Sequence, residues 1–209
     1  MKTFLDLEKW HRKDHFDFFK TFDEPFFGAT ATIDCSFAFE AAKNNGVSFF
    51  VYYLHKTLAV VNAIEPFRYR ISGESIVVYD RIDASPTISR ENGSFAFSLI
   101  EYDPDIFVFA GIAKKEIDRV ALTPGLFTRA FEDSIIHFSA LPWINFTSLS
   151  HARSFKFPDS CPKISIGKMT VQNDGRKTFP VSVHVHHGLV DGLQVGQFFE
   201  LFQLELNKP

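Results

Sequence analysis

The chain has 209 residues, the size of one domain, and 45% of them are hydrophobic, which favours a folded globule over a disordered chain. The formal net charge of −3 gives no argument for binding nucleic acid or an anionic membrane. The opening residues Met1–Glu8 lack the basic-then-apolar pattern of a signal segment, and no apolar run approaches the roughly 20 residues that span a bilayer. Cys35 and Cys161 define no disulfide framework. We therefore expect reduced thiols in a cytoplasmic protein, with a single bridge between them left open.

Phenylalanine is unusually abundant, with 26 residues. Three explanations fit this composition: a large aromatic core, aromatic surface buried between subunits, or an apolar ligand pocket. Composition alone does not separate them.

The N-terminal half contains patterns of both helix and strand. Asp6 is typical of an N-cap, which predicts a first helix to about Phe19. Hydrophobic alternation predicts a strand over 29–39, and helical spacing predicts a long buried helix over 47–64 that stops before Pro66. Two short strands, 67–71 and 75–79, flank a hairpin turn.

The C-terminal half continues this mixture. We predict a strand at 94–100, a helix at 106–122, two strand pieces within 135–146 broken at Pro142, a strand at 179–187 and a final helix after Asp191. The chain contains no internal repeat, low-complexity tract or linker, so we predict one domain over residues 1–209.

His187 ends the strand at 179–187 on its apolar side, where a hydrocarbon side chain is usual. Imidazole can take and return a proton near neutral pH, so His187 is a candidate base; a hydrogen-bonded structural histidine is the plain alternative. Asp191 either fixes the local backbone or binds a cation. His184 and His186 have the spacing of a metal-binding pair, but no Cys, Asp or Glu set completes it, and we predict no metal site.

The segment His186-His-Gly-Leu-Val-Asp-Gly192 resembles the His-x-x-x-Asp-Gly signature of the chloramphenicol acetyltransferases, usually His-His-Ala-Val-Cys-Asp-Gly. This short pattern is shared with dihydrolipoyl transacylase cores and other CoA-dependent acyltransferases. A second segment, Trp10-x-Arg-Lys-x-His-Phe16, resembles the N-terminal motif of the chloramphenicol acetyltransferases. In that family the arginine pairs with the aspartate of the signature, so the resemblance implies that Arg12 pairs with Asp191.

Two further stretches carry the resemblance. Ile135–Phe146 is similar to the family's Ile-Ser-Ala-Leu-Pro-Trp-Val-Asn-Phe, which implies that Ser139 stabilises the oxyanion of the tetrahedral intermediate. Cys161–Lys168 is similar to Ala-Pro-Ile-Ile-Thr-Met-Gly-Lys. By this match Ser165 replaces a threonine that helps to hold water and substrate, and Lys168 lies near the CoA phosphates.

The acceptor pocket implied by the resemblance is walled by aromatic and hydroxyl side chains: Phe18, Phe19, Phe27, Phe95, Ser139 and Ser165. Phe19 departs from the family, which usually has a tyrosine that hydrogen-bonds the antibiotic at this position. Loss of that hydroxyl leaves a more apolar wall and weakens or redirects recognition of the acceptor.

The resemblance implies an α/β fold with a mixed, mainly antiparallel central sheet flanked by helices. It also implies a homotrimer in which His187 of one subunit faces the acceptor pocket of its neighbour. The expected activity is O-acetyl transfer from acetyl-CoA to a hydroxyl of chloramphenicol, a small-molecule substrate, by direct attack in a ternary complex. Two alternatives stay open: a related acyltransferase with another alcohol or a lipoyl thiol as acceptor, and a catalytically silent trimer that binds apolar ligands.

Overall fold

The computed structural model describes residues 1–130, 132–154 and 159–208. Its centre is a seven-stranded sheet made of β2 (Phe26–Asp34), β5 (Asp83–Ser89), β6 (Phe95–Phe97), β7 (Ile135–Leu141), β8 (Lys163–Gly167), β9 (Thr170–Val171) and β10 (Lys177–His186). Six of these strands lie in the order β2-β10-β8-β7-β5-β6, and the seventh, β9, pairs with β10. Strand β7 runs parallel to β5 and β8, and the other pairs are antiparallel. The predicted mixed, mainly antiparallel sheet is therefore confirmed.

A small second sheet and five α-helices complete the described fold. The small sheet has the order β1-β4-β3, with β1 (Lys2–Phe4), β3 (Tyr69–Ser72) and β4 (Ser75–Tyr79). The α-helices are α1 (Lys13–Phe19), α2 (Ser36–Asn44), α3 (Phe49–Ala63), α4 (Ile106–Leu122) and α5 (Gly192–Leu206), and a 3-10 helix covers Glu65–Arg68. In the described part of the chain, none of these helices has both the length and the hydropathy of a membrane span.

Helices α3 and α4 form where the hydrophobic spacing predicted them. The Ser48 hydroxyl accepts the Val51 N–H at the start of α3, and the Asp105 carboxylate accepts two backbone N–H groups at the start of α4. Ile64, which precedes Glu65-Pro66, is extended and ends α3. Side chains of α3 are buried around most of its circumference, which explains its nearly uniform hydrophobicity.

Several predicted elements differ from the structure. The strand predicted at 94–100 is limited to Phe95–Phe97, the residues 67–68 belong to a 3-10 helix rather than a strand, and His187 lies just beyond the strand that it was predicted to end. The first helix begins at Lys13 rather than after Asp6, because residues 7–12 form turns that place Trp10 in the core against the Tyr69 ring. The strand predicted at 29–39 occupies 26–34 instead. The Asp34 carboxylate accepts the Ser36 N–H, and this turn starts α2 within the predicted strand. Only one strand forms within 135–146, since the chain turns after Leu141.

The two faces of the central sheet differ in polarity. Phe138 on β7 packs against Phe50 and Tyr53 of α3, so this face is apolar. The opposite face has a row of hydroxyls, because the strand register aligns Ser139 with Ser165 and Ser165 with Ser182. A second row, two residues along each strand, consists of His137, Lys163 and His184. His151, from the segment that follows β7, packs on this polar face, and its ring lies edge-on to the His184 ring at 4.8 Å.

Gly28 on β2 tests how tightly this polar face is packed. A Cβ added at Gly28 would overlap the His184 ring, so the ring would have to move away from His151. We expect Gly28→Ala to lower the free energy of unfolding by about 1–3 kcal/mol. Gly111, an exposed residue within α4 with open space around it, is the matched control, and Gly111→Ala should raise stability by about 0.5–1 kcal/mol. Urea denaturation of both variants checks this, and an unchanged midpoint for Gly28→Ala contradicts the packing.

Candidate active site

His187 directly follows β10 and lies between two phenylalanine rings. The Phe19 ring, at the end of α1, stacks on the imidazole with a centroid distance of 4.1 Å and an interplanar angle of 12°. The Phe27 ring of β2 lies 4.4 Å away on a tilted plane. Phe27 is adjacent because β2 pairs with β10 in the register Phe27 to Val185. These contacts fix the imidazole plane without using either ring nitrogen.

The backbone of His187 is held at both of its polar groups. Its N–H donates to the carbonyl oxygen of Pro25 at 2.8 Å, and its carbonyl accepts an N–H of Arg12 at 3.3 Å. The ring atom Nδ1 is buried and has no hydrogen-bond partner among the described residues. The other ring nitrogen, Nε2, is not buried. Nε2 is therefore the atom through which His187 can exchange a proton with a bound molecule.

Arg12 and Asp191 form an ion pair that joins the two ends of the chain. Arg12 is only 6% exposed, so its charge requires a counter-ion within the fold. Asp191 is also the N-cap of α5: its carboxylate accepts the Leu193 N–H, and the Gln194 side chain accepts the Asp191 N–H in return. The sequence left two roles open for Asp191: fixing the local backbone or binding a cation. Its contacts in the structure are those of a residue that fixes the backbone.

The other predicted site residues are scattered. Ser139 and Ser165 are neighbours on the polar sheet face, and the Ser165 hydroxyl is buried without a hydrogen-bond partner in the described chain. Phe18 packs edge-on against Phe19 but is 59% exposed. Phe95 is about half-exposed on β6, at the far edge of the sheet, and Lys168 is exposed just after β8. Only Arg12, Phe19, Phe27 and Asp191 lie around His187.

Ser139 and His187 of one chain are too far apart to act on one molecule. Ser139 aligns through Ser165 with Ser182, which places it two strands, about 10 Å, across the sheet. His187 lies five residues beyond Ser182, about 17 Å further along the strand direction. A reacting atom must lie about 3 Å from both a base and an oxyanion donor, so one chain does not assemble both functions.

An apolar groove of about 440 Å³ was not predicted from the sequence. Its lining includes Ala140, Pro142, Trp143, Gly167 and Met169. Trp143 is 72% exposed, unusually high for a tryptophan in a folded protein. Ser139 immediately precedes Ala140, and Lys168 lies between two lining residues. The groove therefore lies between α3 and the apolar face of the sheet, whereas the side chain of Ser139 points to the opposite, polar face.

His137, Asp159 and Cys161 also come together, with their ligand atoms within 4.8 Å of one another. The ammonium of Lys163 lies 2.5 Å from the Asp159 carboxylate and occupies this group as its counter-ion. The thiol of Cys161 points to the Asp133 carbonyl, and burial raises its pKa. Both cysteines are free and buried, so no bridge joins them. That the protein uses no metal stays a prediction.

Three histidines on or against the polar sheet face predict how stability depends on pH: His186 is buried, and His137 and His151 are half-buried. Burial lowers the pKa of His137, His151 and His186 to about 4 in each case. In the unfolded chain these groups titrate near 6.5, so the unfolded state binds more protons as the pH falls below that value. We expect the urea midpoint to fall steadily from about pH 6.5 towards about pH 5 and to be flat from about pH 7 to about pH 8. Equal midpoints across the acidic range would contradict the buried, neutral state of these rings.

The ion pair predicts the effect of removing one charge. Asp191→Asn keeps an N-cap residue but leaves the buried guanidinium of Arg12 unpaired, so the free energy of unfolding should fall by about 2–3 kcal/mol. Asp174→Asn is the matched control, because Asp174 forms a carboxylate–guanidinium contact of 2.7 Å with Arg176 in an exposed turn. Because this ion pair is exposed, Asp174→Asn should lower the free energy of unfolding much less than Asp191→Asn does. Equal effects in urea denaturation would contradict the structural role of Arg12–Asp191.

Comparison with known proteins identifies the family. The family model described as chloramphenicol acetyltransferase matches residues 1–203. A chloramphenicol acetyltransferase of Proteus mirabilis is 29% identical over 202 residues, and one of Escherichia coli is 28% identical over 204 residues. These alignments cover 95% and 96% of this chain, and 92% of each relative.

Solved structures agree with this assignment. A chloramphenicol acetyltransferase superposes with a TM-score of 0.87 at 31% identity, over 99% of this chain and 100% of that one. A probable dihydrolipoamide acetyltransferase from Listeria monocytogenes has a TM-score of 0.68 at 13% identity, covering 92% and 88% of the two chains, and so shares the fold. The resemblance expected from the motifs is thereby confirmed. The chain belongs to the chloramphenicol acetyltransferase family.

Proposed function

We propose that this protein is an O-acetyltransferase that moves the acetyl group of acetyl-CoA to a hydroxyl of chloramphenicol and thereby inactivates the antibiotic. The observation that carries the proposal is the fixed imidazole of His187, with Nε2 accessible and its loop held by Arg12 and Asp191. Family membership over residues 1–203 supplies the reaction class, since the relatives are named for this activity.

In the proposed mechanism, Nε2 of His187 takes the proton of the acceptor hydroxyl. The acceptor oxygen then forms a bond to the thioester carbonyl carbon, and Ser139 donates a hydrogen bond to the resulting oxyanion. Collapse breaks the carbon–sulfur bond, and the imidazolium returns its proton to the CoA thiolate. The products are the acetyl ester and CoA, and His187 is neutral again. No covalent acyl-enzyme is needed, so neither buried cysteine takes part.

We propose that the active protein is a homotrimer with its sites between subunits. The separation of Ser139 from His187 supports this arrangement, because a second copy can bring its Ser139 to the His187 of the first. Exposed aromatic residues beside His187 also support it: Phe18 and Phe22 form a cluster with Phe19 that is left partly open to solvent. Such a cluster is typical of surface that becomes buried on association.

The apolar groove lined by Ala140, Pro142, Trp143, Gly167 and Met169 is the proposed site for acetyl-CoA. Its apolar lining suits the pantetheine arm and the adenine ring, and Lys168 beside it provides a cation for the phosphates. Because the side chain of Ser139 points to the opposite face of the sheet, the thioester end of acetyl-CoA extends beyond this groove to reach the oxyanion donor.

The acceptor pocket is proposed to contain Phe18, Phe19, Phe27, Phe95, Ser139 and Ser165. The stacking of Phe19 on His187 supports a place for Phe19 beside the reacting hydroxyl, but a phenyl ring offers that hydroxyl no hydrogen bond. This observation favours one second candidate: a related acyltransferase whose natural acceptor is another, more apolar alcohol. A lipoyl thiol and a silent ligand-binding trimer have no comparable support.

Domain organisation and cellular location stay predictions. A single domain is supported by the hydrophobic core, which includes residues from Trp10 to Leu206 in one contiguous cluster. Free, buried thiols at Cys35 and Cys161 fit a reducing compartment and support the cytoplasmic assignment.

The direct test follows CoA thiol release from acetyl-CoA in the presence of chloramphenicol. We expect release that depends on both substrates and that falls roughly 10³-fold or more in His187→Ala, because the general base is lost. Ser139→Ala should lower kcat by about 10²-fold through loss of one oxyanion donor. His11→Ala, which removes an exposed histidine, is the control and should behave as the unaltered protein.

Near-normal rates in a folded His187→Ala variant would contradict the assignment of the base. Absence of release by an unaltered protein that still binds acetyl-CoA would contradict chloramphenicol as the acceptor. A panel of apolar alcohols would then identify the second candidate.

A further inference from the structure

The first histidine of the signature, His186, makes a contact with the loop that carries His187. Its Nδ1 accepts the backbone N–H of Gly188 at 3.1 Å. This hydrogen bond spans His187, so the ring of residue 186 closes a short turn around the candidate base. Asparagine and aspartate make the same kind of turn when their side-chain oxygen accepts the N–H two residues on.

The ring of His186 is itself fixed. It is only 5% exposed and lies edge-on to Phe26 of β2, with a centroid distance of 5.6 Å. The ring also packs closely against Gly188: a Cβ added at Gly188 would lie 3.1 Å from the His186 ring. Burial lowers the pKa of His186 to about 4, so the ring is neutral at physiological pH. The hydrogen bond from Gly188 requires the tautomer with its proton on Nε2 and its lone pair on Nδ1.

We propose that His186 is a positioning residue, whose Nδ1 fixes the backbone turn that orients the imidazole of His187. This inference rests on the proposed role of His187 as the base. The His186 carbonyl accepts the N–H groups of Leu189 and Val190, so residue 186 holds three successive amides of the loop. His186 does not line the proposed acetyl-CoA groove, so its effect is on orientation rather than on binding of the cofactor.

Three single substitutions, His186→Asn, His186→Gln and His186→Leu, distinguish the hydrogen bond to the Gly188 N–H from simple packing of the ring. Asparagine keeps an acceptor on Cγ, where Nδ1 is attached, whereas glutamine places its amide one carbon further and leucine has no acceptor. We expect His186→Asn to keep kcat within about threefold and the other two variants to lose roughly 10- to 100-fold in kcat. The KM for acetyl-CoA should change little in all three.

Leucine retaining kcat, or asparagine losing as much as leucine in folded proteins, would overturn the proposal. A measurement on the unaltered protein covers the case in which variants fail to fold. In ¹⁵N-histidine NMR spectra, His186 should be the neutral tautomer with its proton on Nε2, and a proton on Nδ1 would overturn the proposal. This spectrum is independent of catalysis, so failure of the acetyl-transfer assay is distinguishable from failure of the His186 inference.

Discussion

The ion pair between Arg12 and Asp191 is the contact on which the candidate site depends. It joins a residue just before α1 to the N-cap of α5, and the same guanidinium reaches the carbonyl of His187. A buried guanidinium without a counter-ion is costly, so the fold forms with the two chain ends together. The helix end that brings Phe19 onto the imidazole is fixed by the same segment. This ion pair therefore acts with the Pro25 and His186 contacts on the backbone of His187 and, through Phe19, on the plane of its ring.

The register of the central sheet sets the second constraint. Strand β8 lies between β7, which carries Ser139, and β10, which ends just before His187. Ser139 and His187 are therefore far apart within one chain. The sheet separates the candidate base from the candidate oxyanion donor, which is why we propose that association of copies brings them together. On this account the exposed phenylalanines near His187 and the exposed Trp143 belong to surfaces that are completed by a partner or a ligand.

Much of the fold was predictable from local patterns. Helices α3 and α4, the β3–β4 hairpin and the long strand β10 follow from hydrophobic spacing and turn residues, and the signature motif identified His187. The start of α1 was not predictable, because burial of Trp10 outweighs the capping preference of Asp6. The polar sheet face and the Lys163–Asp159 pair were also missed, since they depend on strand register between distant segments. Site roles came from motif resemblance, whereas the separation of Ser139 from His187 required the structure.

The central claim is that one site uses His187 of one copy and Ser139 of another. Mixing subunits tests it most directly: His187→Ala and Ser139→Ala proteins are unfolded together, refolded together and assayed for acetyl transfer. Random assembly in a closed ring should restore about a quarter of the sites, because each restored site takes its intact His187 and its intact Ser139 from different variants. The account predicts activity far above that of either variant refolded alone. Activity no higher than the sum of the two separate variants, in a mixed oligomer, would contradict it.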